Sequence, residues 1–468
     1  MWGLEHIWTK MDVIIKNGKI INADDTIEGD ILIQAGVVKA MGKDISLEGA
    51  ELIDAGGKYV MPGGIDVHTH LNLDVGIAVA QDDFYTGTVA AACGGTTCIV
   101  DYPGFGPKGC DLHHQIQVYH EYARNKAVID YAFHGVIQHV NTDILNEIGT
   151  LIEEGIPSFK GYLTYDYKLS DLDVLSLLEK LSSSKGLLTV HAENDAVIQF
   201  LRGRLLAQGK SAPRYHAWSR PDRCEAEAVH RIIQLAALVD NAPVYIVHLS
   251  TAMGLEHVKA AKANGQPVYA ETCPQYLFMS EERYDEPELG GLKYMMSPPL
   301  RSKEDMNAIW EGLIEGHIDV LATDHCPFDF QKKLQMGKTD FSKCPNGVPG
   351  IELRVPLLFS EGVMKERISP NRFVEIVATA PARITGLYPK KGCIAPGSDG
   401  DIVIMDPDLN RTIRHGLLHE NVDYTPYEGM GIQGWPVLTL VRGQIVARNG
   451  KFVGKKGYGR FVKRKLAI

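Results

Sequence analysis

No stretch of this 468-residue chain reaches 18 uninterrupted apolar residues, which removes a membrane-spanning helix. The chain also lacks any Cys-x-x-Cys pair. Its eight cysteines (Cys93, Cys98, Cys110, Cys224, Cys273, Cys326, Cys344 and Cys393) stand apart, mostly in apolar surroundings, so disulfides are not expected and reduced, buried thiols are. Positive charge is short: the formal net charge of −10 leaves little to offset phosphate repulsion, which excludes a general nucleic-acid or anionic-membrane partner. A small-molecule partner is expected. Residues 1–10 have neither the basic start nor the apolar run of a signal peptide, so a cytoplasmic location is expected; they read as an upstream extension with no part in the fold. The basic stretch with Lys455, Lys456, Arg460, Lys463, Arg464 and Lys465 reads as a solvated face or a subunit contact.

What is present is enough apolar material, 45% of residues, for one large domain and a smaller one. Short β-branched runs with turn signals occur from Val13 to Tyr59 and return after Ile402, with Asn17-Gly18 read as one of the turns. The two ends are expected to meet in a small β-sandwich domain, residues 1–60 and 388–468. Between them, eight apolar strands alternate with helix-compatible stretches: Ile65–His70, Thr96–Asp101, Val128–Gly135, Pro157–Tyr162, Leu187–Ala192, Pro243–His248, Pro267–Thr272 and Ile318–Asp324. The expected class is α/β, with residues 61–387 a (β/α)8 barrel of the TIM type, whose active site lies at the strand C-terminal ends.

That rim is where the polar residues fall. His68 and His70 are two apart on one strand, so both imidazoles face the same way and can reach one metal ion. His191, His248 and Asp324 end three other strands. Lys160 has two readings. It is a lysine that snorkels to the surface, or its amine has reacted with carbon dioxide to give a carbamate, an oxygen ligand that can bridge two metals; an unmodified ammonium facing two cations would be repelled.

His68-Thr69-His70, Ser158-Phe159-Lys160, Val190-His191-Ala192-Glu193-Asn194-Asp195, Val247-His248-Leu249-Ser250 and Ala322-Thr323-Asp324-His325 together resemble the hydantoinase and dihydropyrimidinase branch of the amidohydrolase superfamily. The likeness extends through Ser297-Pro298-Pro299-Leu300-Arg301, Pro345-Asn346-Gly347 and Gly397-Ser398-Asp399-Gly400-Asp401. It implies two divalent cations, zinc first, with manganese or cobalt suiting the same donors. His68, His70 and Asp324 would hold the first, His191 and His248 the second, and N6-carboxylated Lys160 would bridge them. Tyr165 would bind the reacting carbonyl oxygen, and Ser297 and Asn346 would hold the imide edge of the ring, largely through backbone groups. Asp324 would carry the proton from water to the departing nitrogen. The implied activity is D-selective hydrolysis of 5-substituted, aryl or apolar hydantoins to N-carbamoyl amino acids by a homotetramer.

Alternatives remain at this stage. Dihydropyrimidinase and allantoinase share the chemistry, and ring choice would depend on the loops Leu71–Ala80 and Gly161–Leu169, rich in Ile77, Val79, Tyr162, Leu163, Tyr165 and Tyr167. A dihydroorotase would carry an arginine after His-x-His-Leu, where this chain has Asn72. A noncatalytic scaffold related to dihydropyrimidinase is the reading of a different class, opposed by the intact set of donors. Gly104-Phe105-Gly106-Pro107-Lys108-Gly109 matches a dinucleotide fingerprint only in spacing, since Pro107 interrupts it. His113, His114, His134 and His139 receive no role, and His325 is read as support for Asp324 or as packing.

Overall fold

The computed structural model describes residues 12–467, so the reading of residues 1–10 lies outside the described residues. Toward the start run β1 (Val13–Ile21), β2 (Thr26–Gln34), β3 (Val37–Gly42), β4 (Glu51–Asp54) and β5 (Tyr59–Pro62). The middle holds β6 (Gly64–Thr69), β7 (Thr96–Asp101), β8 (Asp130–Phe133), β9 (Gly135–Val136), β10 (Ser158–Tyr162), β11 (Leu187–His191), β12 (Val244–Ile246), β13 (Val268–Thr272) and β14 (Val320–Leu321). β15 (Ile402–Thr412), β16 (Gly431–Val441), β17 (Gln444–Arg448) and β18 (Lys451–Phe452) follow.

Ala35 and Gly36 between β2 and β3 both have positive φ (52° and 83°), the geometry that suits the twist of a two-residue hairpin. Asn17-Gly18 is different. It makes no turn, because β1 runs straight through it with a bulge between Ile15 and Gly18. A Cβ at Gly18 would stand 2.6 Å from Val60 Cγ2, so this glycine permits β1 to lie close to β5. β5 pairs antiparallel with β15, and the hydrogen bonding is then unbroken in the order β18-β17-β16-β15-β5-β1-β2-β3, with β4 beside β1. The two ends of the chain therefore build one nine-stranded mixed sheet, whose inner residues Val13, Ile31 and Val38 share a core with Ile402, Leu438 and Leu440.

An observed strand falls in each of the eight expected spans. They form a three-stranded sheet, β6-β7-β8, and a six-stranded one, β14-β13-β12-β11-β10-β9, with every pair parallel. The sheets adjoin at two seams. β8 and β9 are separated only by His134, whose ring bonds Val67 O (3.1 Å) and Ser158 Oγ (2.7 Å). At the other seam Asp324 N donates to His68 O and His70 N to His325 O, both at 2.9 Å.

The basic C-terminal stretch is only partly a solvated face. Val462, Arg464 and Leu466 are buried while Lys463 and Lys465 between them are exposed, the alternation of an extended segment with one face inward. Val462 N donates to Tyr131 O (2.8 Å), and Arg464 donates to Phe133 O and to Thr385 O (3.1 Å). Arg464 is an internal strut, a correction to the expectation drawn from charge alone.

Where the sheets meet, Asp130 of β8 faces Asp399 and Asp401, and the buried Lys391 Nζ bonds Asp130 Oδ2 (2.8 Å), Asp399 Oδ2 (3.0 Å) and Asp401. Arg442 completes the cluster on Asp130. Three carboxylates this close tolerate burial only with those cations among them. Lys391→Met is expected to cost about 3–5 kcal/mol, the scale for breaking a buried ion pair, and a urea midpoint equal to wild type would contradict this account.

Candidate metal centre

The residues expected at the strand ends do converge. His68 lies one residue before the end of β6, His191 ends β11, Lys160 lies on β10, His70 follows β6 directly, and His248 and Asp324 lie two and three residues past the ends of β12 and β14. Asp324 Oδ1 is 3.2 Å from His68 Nε2 and 3.2 Å from His70 Nε2. The donor atoms of these three residues all lie within 4.8 Å of one another, room for one cation between them. The His191 and His248 rings are 4.5 Å apart, and His248 is 5.5 Å from His68. Lys160 Nζ sits 3.3 Å from His68 Nε2.

The electrostatics suit cation binding. Burial, with the nearby Lys160 ammonium, lowers the pKa of His68, and burial does the same for His191 and His248, so these rings are neutral and keep a lone pair available. Burial alone would raise Asp324, yet the hydrogen bond from His70 and the charge of Lys160 help to hold it at about 2, an ionised carboxylate. Lys160 is 1% exposed, which disposes of the surface reading. It forms no ion pair among the described residues, its Nζ lies 4.4 Å over the Tyr102 ring, and burial lowers its pKa to about 8. A minor share of uncharged amine is therefore present near neutral pH, far more than an exposed lysine would have, and only that form adds to carbon dioxide.

Backbone strain collects here. Tyr165, His248 and Asp324 all adopt left-handed φ (70°, 40° and 52°), which costs on the order of 1–3 kcal/mol for a non-glycine residue and persists where surrounding contacts impose it. Tyr165 stands at the cleft edge, its ring 5.3 Å from that of His191 and under Arg220 (5.7 Å). Ser297 neighbours Tyr165, whose phenol is pushed up in pKa by burial and so stays protonated as a donor. Gly347 N donates to Met295 O (2.8 Å), which brings Asn346 alongside the segment that carries Ser297. Ser297 Oγ and Asn346 Oδ1 are buried without a partner, as groups awaiting a polar ligand would be. Phe105 of the Gly104–Gly109 loop packs on Tyr167 (4.2 Å) and Tyr162 (5.3 Å), so that loop lines the cleft.

Several supporting residues escaped sequence reasoning. Glu271 of β13 bonds His68 Nδ1, accepts from Tyr245 Oη (2.8 Å) and from His248 N (3.2 Å), and thereby turns His68 Nε2 toward the cluster. An acid inside the otherwise apolar run Val268–Thr272 was the available signal. Glu193 bonds His191 Nε2 (2.8 Å) and Arg220 Nη1 (2.6 Å). His325, which the sequence left between support for Asp324 and packing, is tied to other elements: its Nε2 donates to Asp82 Oδ2 (2.9 Å) and its Nδ1 accepts from Gly350 N (3.1 Å). Glu271→Gln should leave the fold intact and weaken cation affinity by about 10–100-fold, measured by competition with a chelator; unchanged affinity would remove Glu271 from this role.

Comparison with known proteins agrees in one direction. Residues 226–446 match the model of the amidohydrolase family and residues 57–253 that of the dihydro-orotase-like family. The chain is 56% identical to D-phenylhydantoinase of Escherichia coli O127:H6, over 97% of this chain and 98% of that protein. Its fold is similar to dihydropyrimidinase from Brevibacillus agri NCHU1002 (TM-score 0.96, 44% identity, 98% of this chain and 100% of that one). It is also similar to D-hydantoinase from Bacillus sp. AR9 (TM-score 0.95, 44% identity, 97% and 99%).

Proposed function

Because the chain belongs to the hydantoinase and dihydropyrimidinase family of amidohydrolases, we propose that it opens 5-substituted hydantoins with water to give N-carbamoyl amino acids, preferring the D form. The observation that carries this reading is the convergence of four imidazoles, one ionised carboxylate and one buried lysine at a single end of the parallel strands. In this proposal residues 61–387 are a (β/α)8 barrel, and the nine-stranded sheet built from both chain ends belongs to the second, sandwich-like domain.

His68, His70 and Asp324 would hold one divalent cation and His191 and His248 a second. Lys160 would serve both as a carbamate: its ammonium loses one proton, and the uncharged amine adds to carbon dioxide and releases a second, so that a cation becomes an anion with two oxygens. Zinc suits the imidazole and carboxylate donors, and manganese or cobalt would serve. When bound, such cations supply Lewis acidity to a carbonyl and to water near neutral pH. The chain's own residues do the rest. Asp324, ionised in the folded protein, takes the proton of the attacking water and returns it to the departing ring nitrogen. Tyr165 donates its phenolic hydrogen to the developing oxyanion. Ser297 and Asn346 hold the imide edge. The aromatic wall of Phe105, Tyr162 and Tyr167, with the exposed Ile77 and Val79 on the loop Leu71–Ala80, favours an apolar or aryl substituent.

An anionic substituent has no such support. Asn72, where a dihydroorotase would place its arginine, accepts a backbone hydrogen bond from Phe84 N (3.2 Å). A cytoplasmic location fits eight cysteines that are all free, and a homotetramer belongs to the same reading through the family.

The deciding assay compares D- and L-5-phenylhydantoin, dihydrouracil and allantoin on one metal-loaded preparation. Chelator-sensitive turnover fastest on D-phenylhydantoin supports the reading, and faster opening of dihydrouracil or allantoin would transfer the chain to those rings. Lys160→Ala should lose tight binding of the metal pair, and a variant with full activity would exclude the carbamate. Tyr165→Phe should lower turnover by about 100-fold with metal content unchanged; metal loss in that variant would refute an oxyanion role.

A further inference from the structure

We propose that Lys333 is a positioning residue for the substrate, clamping together the two backbone segments that present Ser297 and Asn346. The proposal rests on the assignment of those two residues to the imide edge.

Lys333 lies on the helix Phe330–Gly337 and is 0% exposed, one of the largest fully buried side chains in the protein. A buried ammonium is ordinarily matched by a carboxylate, yet Lys333 takes part in no ion pair among the described residues. Its Nζ instead reaches three backbone carbonyls: Lys293 O (3.3 Å), Met295 O (3.1 Å) and Gly347 O. Three acceptors match the three N–H bonds of an ammonium, whereas a neutral amine has only two to give. Burial lowers its pKa to about 8.

The three carbonyls belong to two separate stretches of chain. Lys293 and Met295 lead into Ser297, and Gly347 follows Asn346 directly. Met295 O also accepts from Gly347 N (2.8 Å), so one carbonyl is shared by the direct contact between the stretches and by the lysine. Tyr424 Oη donates to Lys293 O (2.9 Å), which holds the far end of the first stretch. Gly347 itself has φ 146°, and a Cβ there would meet Cys326 O at 2.2 Å, so its segment sits where only this residue fits. A lysine with no salt-bridge partner is a costly way to fill an interior, because the apolar surroundings penalise its charge. What it does provide is three strong, charge-assisted bonds that fix the spacing of two segments whose side-chain acceptors, Ser297 Oγ and Asn346 Oδ1, are left free.

The test uses the metal-loaded full chain. Lys333→Met keeps an unbranched side chain only one atom shorter and removes the donors. It is expected to keep both metals and native near-ultraviolet circular dichroism while KM for the hydantoin rises about tenfold or more, with a smaller change in kcat. Should that variant fail to fold, Lys333→Ala is assayed with and without propylammonium, which is expected to refill the space and restore KM where equal sodium does not. An unchanged KM in a folded variant overturns the proposal, as does loss of metal in step with activity, or failure of propylammonium to restore KM in the alanine variant. Wild-type enzyme measured in parallel separates the two readings: absent ring opening there defeats the proposed function, whereas a wild-type rate with an unaltered variant defeats only the clamp.

Discussion

The site depends on one buried carboxylate placed where strands meet. Glu271 projects from β13 and binds His68 at the end of β6, Tyr245 of β12 and the backbone of His248. With no Glu271, His68 Nδ1 would need another acceptor and Nε2 would have no fixed direction. Burial pushes this acid up to about 7, even with Lys160 opposing the shift, so it is stable in place only through the hydrogen bonds it accepts. The orientation of His68 and that of His248 are thereby settled by the same group.

Around it, the interior is polar to an extent that hydrophobic packing alone would not select. Glu193 with Arg220, Asp82 with His325, and Asp66 with Thr323 and Arg354 are all buried, and each spans elements distant in sequence. Such pairs add little net stability compared with apolar replacements, but they penalise any arrangement in which their partners are absent. They suit a protein whose donor atoms have to stand at specified distances more than they suit one that needs only a core.

Much of this was legible in the residues. The alternation of apolar strands with helical stretches located all eight parallel strand spans, because that periodicity is local. The four histidines and Asp324 were legible because each falls at or just past the end of such a strand, whereas Lys160, in the middle of β10, stood out only through the family resemblance. Glu271, Arg220 and Lys333 were not, since a buried charge is recognisable only once its partner is known, and their partners lie far along the chain. Asn17-Gly18 misled for a related reason: the dipeptide suits a turn or a bulge equally well, and only the approach of Val60 decides. Arg464 was misread because charge was counted without noticing the alternation Val462, Arg464, Leu466.

The pairing of β5 with β15 carries a consequence for how the molecule is made. During synthesis β1 to β5 leave the ribosome first, yet the strand that completes their sheet emerges only after the whole set of parallel strands. The early strands therefore spend that interval with an open edge, the condition in which strands recruit unrelated neighbours. Assembly of this sheet cannot be vectorial, and the nascent chain's exposure to chaperones is set by the length of everything inserted between its two halves.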